Sequence, residues 1–194
     1  MPEFKTVPLY GGALTVDIPS NFTDVSDIRQ VPDNQEVYLD SDGFTSIIIE
    51  LTERVGTAEA ETDEAALRFH LDDIVESPEN LSIWSSNTAR FTKLPGNNAA
   101  YILLASHRIP NSSARSGPLT DFTGIILMLL RLEAQKTDIL ITISVPHTKG
   151  DYKEEEVDLP HGKRGPLLED ASNHADRILK TLEIKDWSLF AEDD

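Results

Sequence analysis

The sequence predicts an α+β fold: a mainly antiparallel β-sheet flanked by helices. Three observations predict it. Apolar segments with the two-residue period of strands follow one another through short, hairpin-length links. Helical stripes with start signals interrupt the strands in two places. At 194 residues with 39% hydrophobic content, the chain suits a single domain spanning residues 1–194. A chain of this size buries roughly 70% of its unfolded surface.

Leu9-Tyr10-Gly11-Gly12-Ala13-Leu14 reads as two extended pieces around a Gly-Gly turn, because glycine reaches positive φ without a steric penalty. Pro19 closes the second piece. Residues 24–28 read as one helical turn capped by Thr23 or Asp24. Pro32 returns the chain to extended geometry, and residues 35–39 form a strand. Asp40-Ser41-Asp42-Gly43 is a turn before the β-branched run 46–51, which is expected inside the sheet.

Residues 62–75 carry the first helix. Thr62 caps it, Asp63 and Glu64 suit the positive end of its dipole, and Leu67, Leu71 and Ile74 form the apolar stripe. Ser77-Pro78 ends it. Residues 81–91 and 100–109 are the next strands. Residues 124–132 and 139–145 then form a hairpin around Ala134-Gln135-Lys136-Thr137. Its first arm is apolar on both faces and so belongs near the centre. In the second arm Ile139, Ile141, Ile143 and Val145 alternate with Leu140, Thr142 and Ser144, the period of a half-buried strand. Residues 147–165 are polar and unpatterned, and are expected to form an exposed loop. Pro166 fits the first position of a closing helix with the stripe Leu168, Ala171, Ala175, Ile178 and Leu182. A tail through Trp187, Leu189 and Phe190 should pack back on the body.

Charge is unevenly spread. Residues 17–79 hold 17 acids against three arginines, a balance of −14 within a total of −17. There the acids interleave with apolar residues, as in a folded acidic surface rather than a tail. Such a surface repels nucleic acid and anionic lipid and steers basic protein patches toward itself. The absence of cysteine excludes disulfides and thiol chemistry. Residues 1–5 lack the apolar region of a signal peptide, and the aliphatic run 125–130 is too short to span a bilayer.

Catalytic signatures are wanting. No glycine-rich loop ends in Lys-Ser or Lys-Thr, and no Gly-x-Ser-x-Gly string occurs. The histidines never sit three or four apart as zinc-binding pairs do. His107 and His70 read as hydrogen-bonded core residues, His147 and His161 as solvated loop residues. Asp40-x-Asp42-Gly43 lacks the later acid of a calcium loop and reads as a turn. Glu154-Glu155-Glu156 reads as a solvated run. With 34 acids, carboxylate pairs suitable for hydrolysis arise by chance, so a hydrolase remains a lesser alternative.

Leu9-Tyr10-Gly11-Gly12-Ala13, the core Arg29-x-Val31-Pro32-Asp33-x-Gln35-Glu36-Val37-Tyr38, and Ser46-Ile47-Ile48-Ile49-Glu50-Leu51-x-Glu53 follow one another in order. Phe69-His70-x-Asp72-Asp73, the stretch 129–146 and Ser188-Leu189-Phe190 continue the series. In these words the chain resembles the Ran guanine nucleotide release factors, the Mog family of nuclear transport regulators. The resemblance covers most of the chain, though the segments 79–98 and 147–165 contribute no motif.

The resemblance implies a PsbP-like fold and binding to the small GTPase Ran through an acidic surface. It further implies promotion of nucleotide release, support of nuclear protein import, and residence in nucleus and cytoplasm. A monomer is expected, with no cofactor, metal, nucleic acid, membrane or bond chemistry. The implied contact residues are Asp24, Asp27, Asp33, Glu36, Glu50 and Glu53. Each has a plainer local reading: Asp24 as a cap, Asp27 as a partner of Arg29, Asp33 as a turn residue. Strand alternation also sets Glu50 and Glu53 on opposite faces unless Glu53 lies at the strand end. Val31, Val37 and Tyr38 are expected as apolar anchors. A scaffold that holds Ran without exchanging its nucleotide is the alternative.

Overall fold

Leu9 and Leu14 face one another across the first turn, whose Tyr10, Gly11 and Gly12 take φ of 49°, 66° and 93°. The structure, a computed structural model, describes residues 3–26, 28, 30–75, 77–108 and 120–191. β1 (Phe4–Leu9) and β2 (Leu14–Pro19) form that hairpin, and β3 (Phe22–Asp24), β4 (Gln35–Asp40) and β5 (Ser46–Glu53) follow. α1 (Asp63–Ile74) leads to β6 (Leu81–Thr88), β7 (Ala99–His107), β8 (Thr120–Leu132) and β9 (Thr137–Thr148). α2 (Gly165–Thr181), β10 (Glu183–Ile184) and a 3-10 turn at Trp187–Phe190 complete the described chain.

Seven strands make one antiparallel sheet in the order β3-β4-β5-β9-β8-β7-β6, while β1-β2-β10 form a second, smaller sheet. The large sheet is covered on both faces. On one, Ile49, Ile126, Met128, Ile141 and Ile143 meet β2 and the α2 stripe Leu168, Ala171, Ala175 and Ile178. On the other, Leu103, Leu127, Leu129 and Leu140 pack under Ala66, Leu67 and Leu71 of α1. The closest fit lies at Gly124 of β8, where a Cβ would stand 2.6 Å from Leu168 Cδ2. Only glycine lets α2 sit so near the strand.

Several expectations need correcting. β9 is buried on both faces rather than half-buried, because it lies fourth of seven strands with a covered face on each side. Ile74 leaves the α1 stripe for solvent, and Val75, extended at the helix end, is buried instead. Residues 22–24 are a strand, and the expected helical turn after them reduces to a hydrogen bond from Ile28 N to Val25 O of 2.9 Å.

The stretch 147–165 is not simply an exposed loop. β9 continues through Pro146 to Thr148, past Ser144, where β5 stops running alongside and a missing N–H loses no ladder bond. His147 is therefore fully buried, contrary to its solvated reading. Its ring stacks on Phe122 at 4.1 Å and meets Tyr152 edge-on at 4.9 Å, and its Nδ1 donates to Val145 O at 2.9 Å. Beyond it, 3-10 turns at Glu154–Glu156 and Leu159–His161 are braced by backbone bonds between Asp158 and Lys163.

Candidate functional site

Register decides where the candidate acids lie. Glu53 pairs with Thr137, Glu50 with Gln35 and Leu140, and Glu36 with Ile49. These positions approach one end of the large sheet, the end marked by the turn between β8 and β9. The link 25–34 brings Asp33 to the same end, since Leu51 N donates to Asn34 O at 2.9 Å. Asp24 stands further along, opposite Tyr38 and hence level with Ile47. That is three residues of rise from Glu50, about 10 Å. Asp27 lies outside the described residues.

The side chains point in different directions. Glu36 is on the face of Ile49, and its Oε1 accepts from Tyr10 N at 2.6 Å. Glu50 is on the α1 face with Leu140, and its Oε1 accepts from Asn34 Nδ2 at 3.3 Å. Glu53 is the last residue of β5 and is exposed, so alternation does not bar one partner from touching it and Glu50 together. Asp24 accepts from Ser26 N at 2.8 Å, the local turn role its plainer reading anticipates. Asp33 is exposed in the turn after Pro32.

Tyr10 knits this end together. Its hydroxyl lies 3.0 Å from Asn34 O and 2.8 Å from Ile49 O, tying the small hairpin to the link and to β5. Burial, reinforced by Glu36 and Glu50, pushes its phenol far above the ordinary range. Val37 and Tyr38 do not present themselves to a partner. Both are packed inside, and Val31 is half-buried.

Not every acid of the 17–79 stretch is free to face a partner. Asp17 is held by Arg177 at 2.6 Å and Thr6 at 2.6 Å, which outweigh its desolvation and keep its carboxyl below the ordinary range. Asp72 pairs with Arg68 at 2.8 Å. Asp40 stands opposite Phe22, at the other end of β4.

Sequence reasoning missed a buried ionic network. Asp138 takes a bond from Arg131 Nε at 3.0 Å, lies 2.9 Å from His70 Nε2, and accepts from Val55 N at 3.1 Å. Arg131 reaches on to Asp63 at 2.7 Å and to the Val55 carbonyl. A partial signal was there to read: Arg131 interrupts an apolar run and Asp138 borders one, on either side of one hairpin turn. His70 and His107 are buried and hydrogen-bonded as expected, His107 to Ser77 O at 3.1 Å. No cluster of three potential metal ligands occurs among the described residues.

A general acid would need a carboxyl with raised proton affinity. Among the described residues the carboxyls clearly displaced, Asp17, Asp138, Glu183 and Asp186, all move downward. A cavity of about 800 Å³ lined by Trp84, Arg108, Phe122 and Tyr152 also carries Asp121, Glu154 and Asp158, and none of the six acids named for Ran contact.

The model of the Ran-interacting Mog1 protein family matches residues 7–146, from β1 through most of β9. This chain belongs to that family. A Mog1 relative, the Ran guanine nucleotide release factor of Homo sapiens, is 34% identical over 75% of this chain and 78% of its own. The nuclear import protein MOG1 of Saccharomyces cerevisiae is 31% identical over 96% of this chain and 85% of its own. The crystal structure of the yeast Ran-binding protein Mog1p superposes with a TM-score of 0.73 at 27% identity, covering 98% of this chain and all of that one. Cyanobacterial PsbP from Synechocystis shares the fold alone, at TM-score 0.54 and 8% identity over 95% and 94% of the two chains. The expected PsbP-like α+β fold is therefore the fold observed. All six candidate acids fall inside the Mog1 match, whereas α2 and the Trp187–Phe190 turn fall beyond it.

Proposed function

We propose that this protein binds the small GTPase Ran through the carboxylates Asp24, Asp27, Asp33, Glu36, Glu50 and Glu53. In doing so it promotes guanine nucleotide release and supports nuclear protein import. It acts as one monomeric domain in nucleus and cytoplasm, without bond chemistry. The observation that supports the reading best is positional: Asp33, Glu36, Glu50 and Glu53 gather at one end of the sheet, within the segment matched to a Ran-interacting family.

Release requires no catalysis of bond cleavage. A protein that holds empty Ran more tightly than loaded Ran must, by reciprocity, weaken nucleotide binding by the same factor. Carboxylates achieve this by engaging basic groups that otherwise serve the nucleotide phosphates, or by displacing switch segments that hold the magnesium. Their charge acts chiefly on the rate of encounter and its salt dependence.

The test is capture of nucleotide-free and loaded Ran by wild type and by the folded variants Asp33→Lys and Glu50→Lys, at two salt concentrations. Weakened capture is expected for both variants. Unchanged affinity in both refutes the assignment. Release of labelled nucleotide separates exchange from the scaffold alternative: turnover by substoichiometric protein means exchange, stoichiometric retention means holding.

A further inference from the structure

Val37 and Tyr38, two of the apolar residues interleaved with the acids, are committed to this protein's own packing, while Ile28 is 77% exposed and Val31 half-buried. The docking end gains from a further, ordered source of apolar contact. We infer that the C-terminal turn Trp187–Phe190 supplies it, with Trp187 and Leu189 as anchors entering an apolar recess within a basic protein surface. This rests on the Ran reading above.

The turn is bonded to the same unit that holds Glu36. Lys185 N and Asp186 N both donate to Ala13 O, at 2.8 and 3.1 Å, and Ala13 N donates to Tyr10 O at 3.2 Å. Tyr10 N in turn holds the Glu36 carboxylate. The turn is also ordered in itself. Asp186 caps it by accepting from Ser188 N at 2.9 Å, Ala191 N donates to Ser188 O at 3.0 Å, and Phe190 packs on the core. Two large side chains are nonetheless left outside: Trp187 is 39% exposed and Leu189 36%. Lys185, the cation nearest in sequence, is paired with Glu183 at 2.7 Å, and Lys93 reaches the same side chain at 3.1 Å.

A lone exposed leucine means little on a protein surface. A tryptophan beside it, on a capped turn tied to a charged rim, differs in kind. Tryptophan offers large contact area with few torsions to immobilise, and is enriched among residues that dominate binding energy. Charge complementarity selects the occupant: the rim is acidic, so the partner is basic around its recess. Labour is then divided, with carboxylates hastening encounter and the turn slowing departure.

The experiment follows Ran association and dissociation for Trp187→Ala/Leu189→Ala, beside Asp33→Lys and Glu50→Lys. The turn variant should dissociate faster by about tenfold, with the association rate and its salt slope unchanged. Wild-type dissociation by the turn variant, alongside failed capture by the charge reversals, overturns this inference and spares the Ran reading. Normal capture by all variants overturns both. A second measurement leaves Trp187 intact: with Trp84→Phe, Trp187 is the remaining tryptophan and takes a 5-fluorotryptophan label. Its ¹⁹F resonance should shift when unlabelled Ran is added. A resonance unmoved at saturating Ran overturns the inference, as does one that shifts with the protein's own concentration instead, which would assign the turn to a second copy of this chain.

Discussion

Arg131 and Asp138 are directly opposed across the β8–β9 ladder, and their side chains bond at 3.0 Å with almost no solvent contact. Together with His70 and Asp63 they pin α1 and the segment around Val55 to the hairpin that ends nearest the candidate site. Removing one partner strands the other charge in the interior. Arg131→Met and Asp138→Ala should each cost about 3–5 kcal/mol, measured by urea unfolding. Restoring a matched apolar pair, Arg131→Met with Asp138→Leu, should recover part of that loss.

Asp138 also predicts an acid limb. Desolvation raises its carboxyl, but the bonds from His70, Arg131 and Val55 outweigh it and the net displacement is downward from 3.8. A lowered folded value means that the contribution is complete above 3.8 and fades as pH falls through the folded value. Stability measured between about pH 5 and about pH 2 should fall less steeply in Asp138→Asn than in wild type.

His147 and His174 act at higher pH. Burial lowers both imidazoles below 6.5, against the opposing pull of the Val145 carbonyl and Asp121 on the first and of Asp170 and Asp40 on the second. The unfolded chain takes up these protons first as pH falls, so their contribution is whole above 6.5 and declines below it. His147→Phe preserves the stacking on Phe122 and removes the titration. Its melting temperature should change less between about pH 7.5 and about pH 5.5 than that of wild type.

Gly124 and Leu168 test the approach of α2 to the sheet. Gly124→Val drives side-chain atoms into Leu168 and should destabilise by about 1–3 kcal/mol. Leu168→Ala should cost about 2–5 kcal/mol by leaving a cavity. Combined as Gly124→Val/Leu168→Ala, the loss should be less than the sum of the two single effects, because one substitution fills space that the other vacates.

Glu36 separates charge from architecture. Glu36→Gln retains an acceptor for Tyr10 N, so folding stability should hold while Ran association slows and its salt dependence flattens. Glu36→Ala removes the acceptor as well and should cost about 1 kcal/mol of stability, read by thermal unfolding.

Much of the fold was legible because local signals acted alone. Thr62 accepts from Ala65 N at 3.1 Å as its position before an acidic turn foretells. The α2 stripe is buried from Leu168 to Ile178 as its spacing foretells. His147 was not legible, since polar neighbours and Pro146 signal a loop, and only the end of β5 shows why the strand can continue. Arg131 and Asp138 were legible only in part: their places beside apolar runs could be seen, but only the cross-strand register shows that they meet each other inside the protein.

The candidate site divides in the same way. Motif order named the six acids, but a motif carries no direction. Pairing register sets Glu36 and Glu50 on opposite faces, bonds one to Tyr10 and the other to Asn34, and leaves Glu53 at a strand end.

From sequence alone follow the helices, the strand period, the family resemblance and the excess of acid, because each rests on residues near one another in the chain. Tertiary structure alone settled which acids are neutralised internally, which share one end of the sheet, and that the segment leading to Trp187 bonds to Ala13. Those outcomes depend on contacts between distant segments, such as Ala13 with Lys185, and no local pattern encodes such a meeting.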